Sequence, residues 1–362
     1  MKNNKISIGG EKYFTLSLLF SKKQNDIFNE YEREFKDYSI QYTFGGYYSL
    51  LAIIDDLNLG KNNECILLPS YLCDSILRPF DVRGVKYEFY KVDSNLTPDF
   101  DHITELIRSE VKAILFIDYM GLSLSKWISP FIKLFSFHGI KIIQDCVQTI
   151  QLDATQKYGD YIFNSFRKFT PFEGSVLISK TKMNINYSKN KNSSFIFYKR
   201  LGQIFRYLHI KGNIFGPRIF LSLFKISERI YQKTIVLKMP TLNRYLIEKL
   251  NLTALMNQHK NYFVQLEILY SKYLPVSFHE KNFIPFGFVL ITKNRDQLRS
   301  LLASSGIYCP VHWLLPKKID FNNHKTSFLL SNYELTIPLS DLDDISFNVL
   351  KNILNKLKEE TF

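Results

Sequence analysis

Short apolar runs separated by polar or glycine-containing turns recur along the first half of the chain. Runs of this kind predict strands that are covered on both faces, at 64–68, 85–90, 111–116, 140–144, 161–166 and 176–178. Helical patterns separate several of them, beginning with an apolar helix that follows Gly45 and Gly46. Strands and helices that alternate at this spacing predict an α/β fold with a doubly wound, mostly parallel sheet.

The second half of the chain has a different pattern. Apolar residues at helical spacing between 204 and 226 predict amphipathic helices with a break near 212–217. A strand at 284–292 and helices at 296–303 and 345–358 follow. We therefore expect an N-terminal segment (1–40), a large domain (41–240) with a helical insertion near 185–240, and a smaller C-terminal α+β domain (241–362).

The composition restricts the class of protein. Of the 362 residues, 46% are hydrophobic and 22% are charged, as in soluble globular proteins. The four cysteines are far apart and form no C-x-x-C pair, which predicts free thiols in a reducing compartment. No apolar run reaches the roughly 18 residues of a spanning helix, and residues 1–10 are too polar for a secretory signal. We expect a cytoplasmic protein without a metal site.

A carboxylate and a lysine near the middle of the chain are the first candidates for chemistry. Asp145 comes at the carboxyl end of the strand at 140–144, where ligands bind in open α/β sheets. Lys168 follows the next predicted strand, so the two side chains can converge on one ligand. Pyridoxal phosphate enzymes use such a pair, because the amine forms a Schiff base and the carboxylate keeps the pyridine nitrogen protonated. Chance occurrence of the two residues is the alternative.

A longer series of motifs resembles one family. The chain has D-x-x-Q at Asp145 and Gln148, G-D at 159–160, S-F at 165–166, then Lys168 and E-G-S before a strand. This order, within 45–180, resembles the DegT/DnrJ/StrS-type sugar aminotransferases, which are fold-type I pyridoxal phosphate enzymes. The resemblance implies that Asp145 pairs with the pyridine nitrogen and Gln148 faces the ring hydroxyl. It also implies that Ser165 binds the phosphate and Lys168 is the Schiff-base lysine.

Two departures from the family pattern affect the loop that carries the lysine. The interval between Ser165 and Lys168 is shorter than usual, and the usual G-E-G-G is reduced to E-G-S. Arg167 lies one step from Lys168, but a guanidinium cannot form the Schiff base. Lys168 therefore remains the candidate, and we place Arg167 on the substrate side of the site.

Two further segments of the resemblance concern the phosphate and the ring of the cofactor. Gly45, Gly46 and Tyr47 fall where the family binds the phosphate, and backbone amides at a helix start favour an anion. A simple turn is the alternative. Cys73 occupies the position of the family's ring-stacking aromatic residue. Tyr71 is the candidate for the stacking face instead, unless it is an ordinary core tyrosine.

A third segment, 306–313, resembles the family's substrate loop. The resemblance implies that His312 touches the substrate or the edge of the cofactor. Packing between Pro310 and Trp313 is the alternative. The family segment that reaches the neighbouring subunit's phosphate is not found, and Asn243 and Arg244 are the nearest candidates.

The segment from 180 to 250 is strongly basic and rich in aromatic residues. It contains 15 Lys or Arg against two acids, Glu228 and Glu248. Three interpretations remain open: a helical segment that packs on a partner subunit, attraction of a sugar nucleotide, or contact of 185–240 with an anionic membrane. No nucleic-acid-reading module is present, so we expect no nucleic-acid partner.

The resemblance implies an aminotransferase that moves an amino group from glutamate to a keto-sugar nucleotide, for surface polysaccharide biosynthesis. It also implies small-molecule substrates and a homodimer. A pyridoxal phosphate-dependent lyase or dehydratase is an alternative, although family dehydratases tend to lose the lysine found here at Lys168. A non-catalytic scaffold on a degenerate aminotransferase fold is another, favoured by the departures around Tyr47, Cys73 and Lys168.

Overall fold

The computed structural model describes residues 6–60, 63–189, 192–212, 214–231, 234–274 and 284–359. Lys191 and Lys233, two of the basic residues counted above, lie outside the described residues. The described strands are β1 (Ile8–Gly9), β2 (Ser39–Thr43), β3 (Cys65–Pro69), β4 (Lys86–Tyr90), β5 (Val111–Ile117), β6 (Lys141–Asp145), β7 (Tyr161–Phe163), β8 (Ser175–Ser179), β9 (Gly287–Ile291), β10 (Ile307–Tyr308) and β11 (Glu334–Pro338).

The largest sheet of the described residues has seven strands in the order β2-β8-β7-β6-β5-β3-β4. β3 to β7 run parallel to one another, whereas β8 is antiparallel to both of its neighbours, β2 and β7. The predicted α/β fold with a mostly parallel sheet is therefore confirmed. Because parallel strands end at the same edge, the segments that follow β2, β3, β5, β6 and β7 all meet at one edge of the sheet.

Helices cover both the sheet and the C-terminal region. They are α1 (Ile27–Glu34), α2 (Gly46–Asp56), α3 (Asp74–Arg83), α4 (Phe100–Leu106), α5 (Ser125–Ile128), α6 (Ile132–Phe137), α7 (Ser193–Gly212), α8 (Pro217–Tyr231), α9 (Thr241–Glu248), α10 (Leu252–Tyr270), α11 (Arg295–Ser304), α12 (Lys325–Tyr333) and α13 (Asp344–Glu359). α2 is apolar along most of its length because it packs into the main core with the central strands. No described helix combines the length and apolar character that crossing a bilayer requires.

A second, smaller sheet lies in the C-terminal region. β9 and β11 pair antiparallel, and their apolar residues share a core with α10, α11 and α13. The N-terminal segment reaches this region, because β1 pairs in parallel with β10 and Ile8 packs in the same core. α9, in contrast, packs Leu246 and Ile247 in a third cluster with α1 and β8.

The helical insertion consists of α7 and α8, which pack along each other. α7 ends at Gly212 and α8 begins at Pro217, so the predicted break is confirmed. The predicted strand at 161–166 is too long, because β7 ends at Phe163. The next residue, Asn164, lies outside the strand. Its side-chain oxygen accepts a hydrogen bond from the backbone N–H of Val176 at 2.9 Å.

Candidate functional site

Asp145 is the last residue of β6 and is almost completely buried, with 1% of its surface exposed. One carboxylate oxygen accepts a hydrogen bond from the backbone N–H of Val147 at 2.9 Å. Burial raises the pKa of Asp145 to about 7; the nearby Asp118 adds to the rise, while the Val147 N–H and the charge of Lys168 oppose it. A buried carboxylate with so few partners is a candidate for binding a cationic ligand.

Asp118, which follows the neighbouring strand β5, is hydrogen-bonded to the backbone of Asp145. Its backbone N–H donates to the carbonyl of Asp145 at 3.0 Å, and its carboxylate accepts from Tyr158 Oη at 2.6 Å and Gln144 Nε2 at 2.8 Å. Burial raises the pKa of Asp118 to about 6, although these hydrogen bonds oppose the rise. Sequence reasoning missed this role; two acids at the ends of adjacent parallel strands were the available signal.

Lys168 closes a short 3-10 turn, Phe166–Lys168, that follows Ser165. Its backbone N–H donates to the carbonyl of Ser165 at 3.3 Å, and its amine lies 5.8 Å from the ring centre of Phe286. Burial lowers the pKa of Lys168; the charge of Arg167 adds to the fall, while Cys73 and Asp145 oppose it. The charges of Lys168 and Asp145 thus act on each other, as expected for side chains that serve one site.

Gln148 contributes an unsatisfied hydrogen-bond donor to the same edge. The residue is completely buried, and its side-chain oxygen accepts from the backbone N–H of Met120 at 2.6 Å. Its amide nitrogen Nε2 has no hydrogen-bond partner in the described part of the chain. A buried amide is rarely left without a partner, because desolvation without a hydrogen bond costs about 1–3 kcal/mol. A ligand oxygen would satisfy it.

The predicted phosphate turn is the start of α2. Gly45 is the N-cap and Gly46 the first helical residue, followed by Tyr47. The first amides of a helix have no partner within it, so those of Gly46 and Tyr47 are available to an anion. A Cβ atom on Gly46 would lie 3.2 Å from the side chain of Val147, two residues after Asp145. The turn and the end of β6 are therefore adjacent.

Tyr71 and Cys73 occupy different environments at the end of β3. Tyr71 is completely buried beside Tyr119 and Trp313, with ring centres 5.8 Å and 5.4 Å away, and its hydroxyl donates to the carbonyl of His312. Cys73 is half-buried at the start of α3, near enough to Lys168 to affect the pKa of the lysine. The structure thus brings Cys73 to the lysine and places Tyr71 in an aromatic core; stacking on a cofactor stays a prediction.

His312 is buried near the lysine. Its ring centre lies 5.3 Å from that of Phe286, and its Nδ1 lies 2.8 Å from Thr336 Oγ1. Burial and the charge of Lys168 lower the pKa of His312, so the imidazole is neutral at pH 7. Glu334, which sequence reasoning missed, accepts from the backbone N–H of His312 at 2.5 Å and from the hydroxyl of Thr336.

Arg167 points toward the helical insertion. Its guanidinium donates to Glu228 of α8 at 2.7 Å and lies 5.0 Å from the ring centre of Tyr231. Burial alone would lower the pKa of Arg167, but the charges of Glu228 and Glu11 and the hydrogen bond to Glu228 contribute to a net rise. Contact of Arg167 with a substrate stays a prediction. Neither Glu228 nor Tyr231 was predicted, although Glu228 is one of only two acids in the basic segment.

The residues at this edge fit pyridoxal phosphate. The orphaned Nε2 of Gln148 suits the ring hydroxyl, buried Asp145 suits a protonated pyridine nitrogen, and the α2 amides suit the phosphate. Ser165 immediately precedes the 3-10 turn that ends at Lys168, so both lie on the same short loop. Within the described residues, no group of three or more His, Cys, Asp or Glu side chains could hold a metal ion.

Comparisons with known proteins find likeness in structure but not in sequence. No protein-family model matches the chain, and no curated protein matches it. A DegT DnrJ EryC1 StrS aminotransferase from Brucella abortus is 15% identical, with 96% of this chain and 91% of that chain covered and a TM-score of 0.65. The PLP form of Spr1654 from Streptococcus pneumoniae is 14% identical, with 98% of this chain and 99% of that chain covered and a TM-score of 0.66.

A third solved structure is that of PseC from Helicobacter pylori, an aminotransferase involved in the biosynthesis of pseudoaminic acid. It is 12% identical to this chain, with 98% of this chain and 100% of that chain covered and a TM-score of 0.65. Since these proteins are matched over nearly their whole lengths, the shared fold includes the C-terminal region as well as the main sheet. The chain therefore has the fold of the DegT DnrJ EryC1 StrS-type sugar aminotransferases.

Proposed function

We propose that this protein is a pyridoxal phosphate-dependent aminotransferase that transfers an amino group from glutamate to a keto-sugar nucleotide. The observation that carries the proposal is the joint placement, at one edge of the sheet, of buried Asp145, the unsatisfied amide of Gln148 and an amine with a lowered pKa at Lys168. The fold shared with sugar aminotransferases supports the same reaction class. Products of this kind would serve surface polysaccharide synthesis.

Each residue of the site has a role that follows from its environment. When bound, pyridoxal phosphate supplies an aldehyde and a pyridine ring that withdraws electrons from the substrate carbon. Asp145 holds the pyridine nitrogen, and that positive partner favours the ionised carboxylate over the protonated one. Gln148 orients the ring through its free amide hydrogen.

Lys168 is the group that moves protons. Burial and the neighbouring Arg167 lower its pKa, which increases the fraction of neutral amine near pH 7. A neutral amine can attach the cofactor and can accept a proton from the substrate carbon as a general base. His312 is also neutral, and it lies where it can contact the substrate without adding positive charge.

The proposal extends to the assembly and the surroundings of the protein. A homodimer is what the family resemblance implies, and a cytoplasmic location is supported by Cys65, Cys73, Cys146 and Cys309, which are all free thiols. The outer face of α8 supports peripheral contact with an anionic membrane. Arg218, Lys225 and Arg229 are exposed there beside Ile219, Leu221 and Ile226, and the combination of cations with apolar side chains suits an anionic lipid surface.

Covalent attachment of the cofactor tests the proposal. The wild-type protein mixed with pyridoxal phosphate is expected to absorb visible light, and borohydride reduction should fix the cofactor on the peptide that contains Lys168, as read by mass spectrometry. Lys168→Ala should lose both signals. Lys180→Ala is the matched control, because Lys180 is exposed and paired with Asp160 at 3.0 Å.

The reaction is then tested with a panel of keto-sugar nucleotides. Glutamate is added as the amino donor, and the formation of 2-oxoglutarate is measured. A protein that stays colourless and ignores the cofactor would contradict the proposal and favour the scaffold interpretation. A coloured protein that releases water from the sugar without transferring nitrogen would favour a lyase instead.

A further inference from the structure

Tyr231, the last residue of α8, lies against the start of α2. Its side chain is 8% exposed, and its backbone carbonyl accepts a hydrogen bond from the hydroxyl of Tyr48. The Tyr231 hydroxyl points at Gly45, because a Cβ atom on Gly45 would lie only 2.1 Å from Tyr231 Oη. The helical insertion therefore brings a hydroxyl to the predicted phosphate turn.

The hydroxyl of Tyr231 has no hydrogen-bond partner among the residues that the structure describes. The ring is held firmly, with the ring centres of Phe195 and Phe44 at 5.0 Å and 5.9 Å. A tyrosine whose ring is packed in this way usually finds a hydrogen-bond partner for its hydroxyl. Burial also raises the pKa of Tyr231, so the hydroxyl keeps its proton and is a donor.

The surroundings of this hydroxyl favour an anion. The first amides of α2 directly follow Gly45, which the hydroxyl approaches, and the dipole of the helix is positive at that end. The guanidinium of Arg167 lies 5.0 Å from the centre of the Tyr231 ring, and Glu228, one helical turn before Tyr231, holds it there. A neutral donor and free amides thus lie at the turn, and a cation with its partner carboxylate lies beside the Tyr231 ring.

We propose that Tyr231 donates a hydrogen bond to the phosphate of the cofactor, so that the chain's own helical insertion completes the phosphate site. The inference rests on the proposed function, because it assumes a phosphate at the start of α2. It also accounts for the glycine at position 45. The φ of Gly45 is 171°, an extended conformation that any residue adopts, so the space occupied by the Tyr231 hydroxyl is what excludes a larger side chain.

Comparing two ligands that differ only in the phosphate tests the inference. We would titrate pyridoxal phosphate and pyridoxal into the wild-type protein and Tyr231→Phe, and measure dissociation constants from visible absorbance. Loss of a hydrogen bond to a charged group should weaken pyridoxal phosphate binding about 10- to 100-fold and leave pyridoxal binding unchanged. Gly45→Ala should show the same selectivity, because its methyl group displaces the hydroxyl.

Tyr187→Phe is the matched control. Its ring packs against the same main core, but its hydroxyl donates to Gln41 Oε1 at 3.2 Å rather than facing the turn. The control should bind both ligands like the wild type. Equal pyridoxal phosphate affinity in Tyr231→Phe and the wild type would overturn this inference and leave the proposed function intact. An equal loss for both ligands would assign Tyr231 a structural role only. A wild-type protein that binds neither ligand would overturn the proposed function as well.

Discussion

The environment of Asp145 disfavours the charged form of its carboxylate. With 1% of its surface exposed and a pKa raised to about 7 by burial, its carboxylate is only partly ionised at neutral pH. In an unfolded chain the same group has a pKa of about 3.9. The folded state therefore binds more protons than the unfolded state between about pH 4 and pH 7, and the free energy of unfolding falls as pH rises through that window.

Replacing Asp145 by Asn should stabilise the cofactor-free protein while preventing cofactor binding. The Asn side chain can still accept from Val147 N–H, but it has no charge to bury. We expect the free energy of unfolding to rise by about 1–3 kcal/mol at pH 8, with little change at pH 4. Urea unfolding at the two pH values measures this, and the visible absorbance with pyridoxal phosphate should be lost.

Asp37→Asn is the control for the Asp145 prediction, because Asp37 is exposed and its charge stays in water. It should change the unfolding free energy by no more than about 0.5 kcal/mol at either pH. If Asp145→Asn had the same effect at pH 4 and pH 8, the titration of Asp145 would not be the cause of the gain.

The local sequence was sufficient to predict site residues that lie at or just after the end of a strand. Asp145 and Lys168 were predicted because each follows a recognisable apolar run, and the structure places both at one edge of the sheet. Tyr231 could not be predicted in this way. Its contact with Tyr48 joins residues 183 positions apart, and nothing near Tyr231 in the sequence indicates which face of α2 it meets.

At the scale of elements, the close contact between α7 and α8 depends on a glycine. A Cβ atom on Gly202 would lie 2.8 Å from the ring of Phe224. In an ordinary helix interior, Gly→Ala stabilises by about 0.5–1 kcal/mol. Here the methyl group would push the two helices apart, and overpacking typically costs about 1–3 kcal/mol. The sign of the effect should therefore be reversed.

We expect Gly202→Ala to lower the free energy of unfolding by about 1–2 kcal/mol. Because α8 also carries Tyr231, the variant should bind pyridoxal phosphate more weakly as well. Urea unfolding and absorbance titration measure the two effects. Gly216→Ala is the matched control: it lies between the same helices, and a Cβ there would meet nothing within 4 Å. A stabilised Gly202→Ala protein would show that α7 and α8 are less tightly packed than described.

Element type was easier to predict than element direction. The apolar runs at 111–116 and 140–144 correspond closely to β5 and β6, because buried parallel strands have a continuous apolar pattern. The same pattern does not encode direction, so the antiparallel course of β8 was not predicted. β2 was missed because its residues Ser39–Thr43 are partly polar and it lies at the edge of the sheet, where only one neighbour covers it.

At the scale of the whole molecule, positive charge is concentrated on the helical insertion. The protein has a formal net charge of +13, and the segment from 180 to 250 has 15 of its 47 Lys and Arg residues. Glu228, one of its two acids, is occupied by Arg167 at 2.7 Å and by buried Lys199 at 3.4 Å. The outer face of α8, defined above by three cations and three apolar residues, therefore keeps its positive potential.

This distribution predicts salt-dependent binding to anionic vesicles. Each cation near such a surface contributes about 1 kcal/mol, so the triple variant Arg218→Gln/Lys225→Gln/Arg229→Gln should bind vesicles that contain phosphatidylserine about 100-fold more weakly than the wild type. Co-sedimentation at 0.1 M and 0.5 M salt measures this. The charge-matched control replaces the exposed Lys86, Lys141 and Lys272 by Gln. An equal loss in both triple variants would attribute vesicle binding to net charge alone. No vesicle binding by a wild-type dimer would indicate that the partner subunit covers the α8 face.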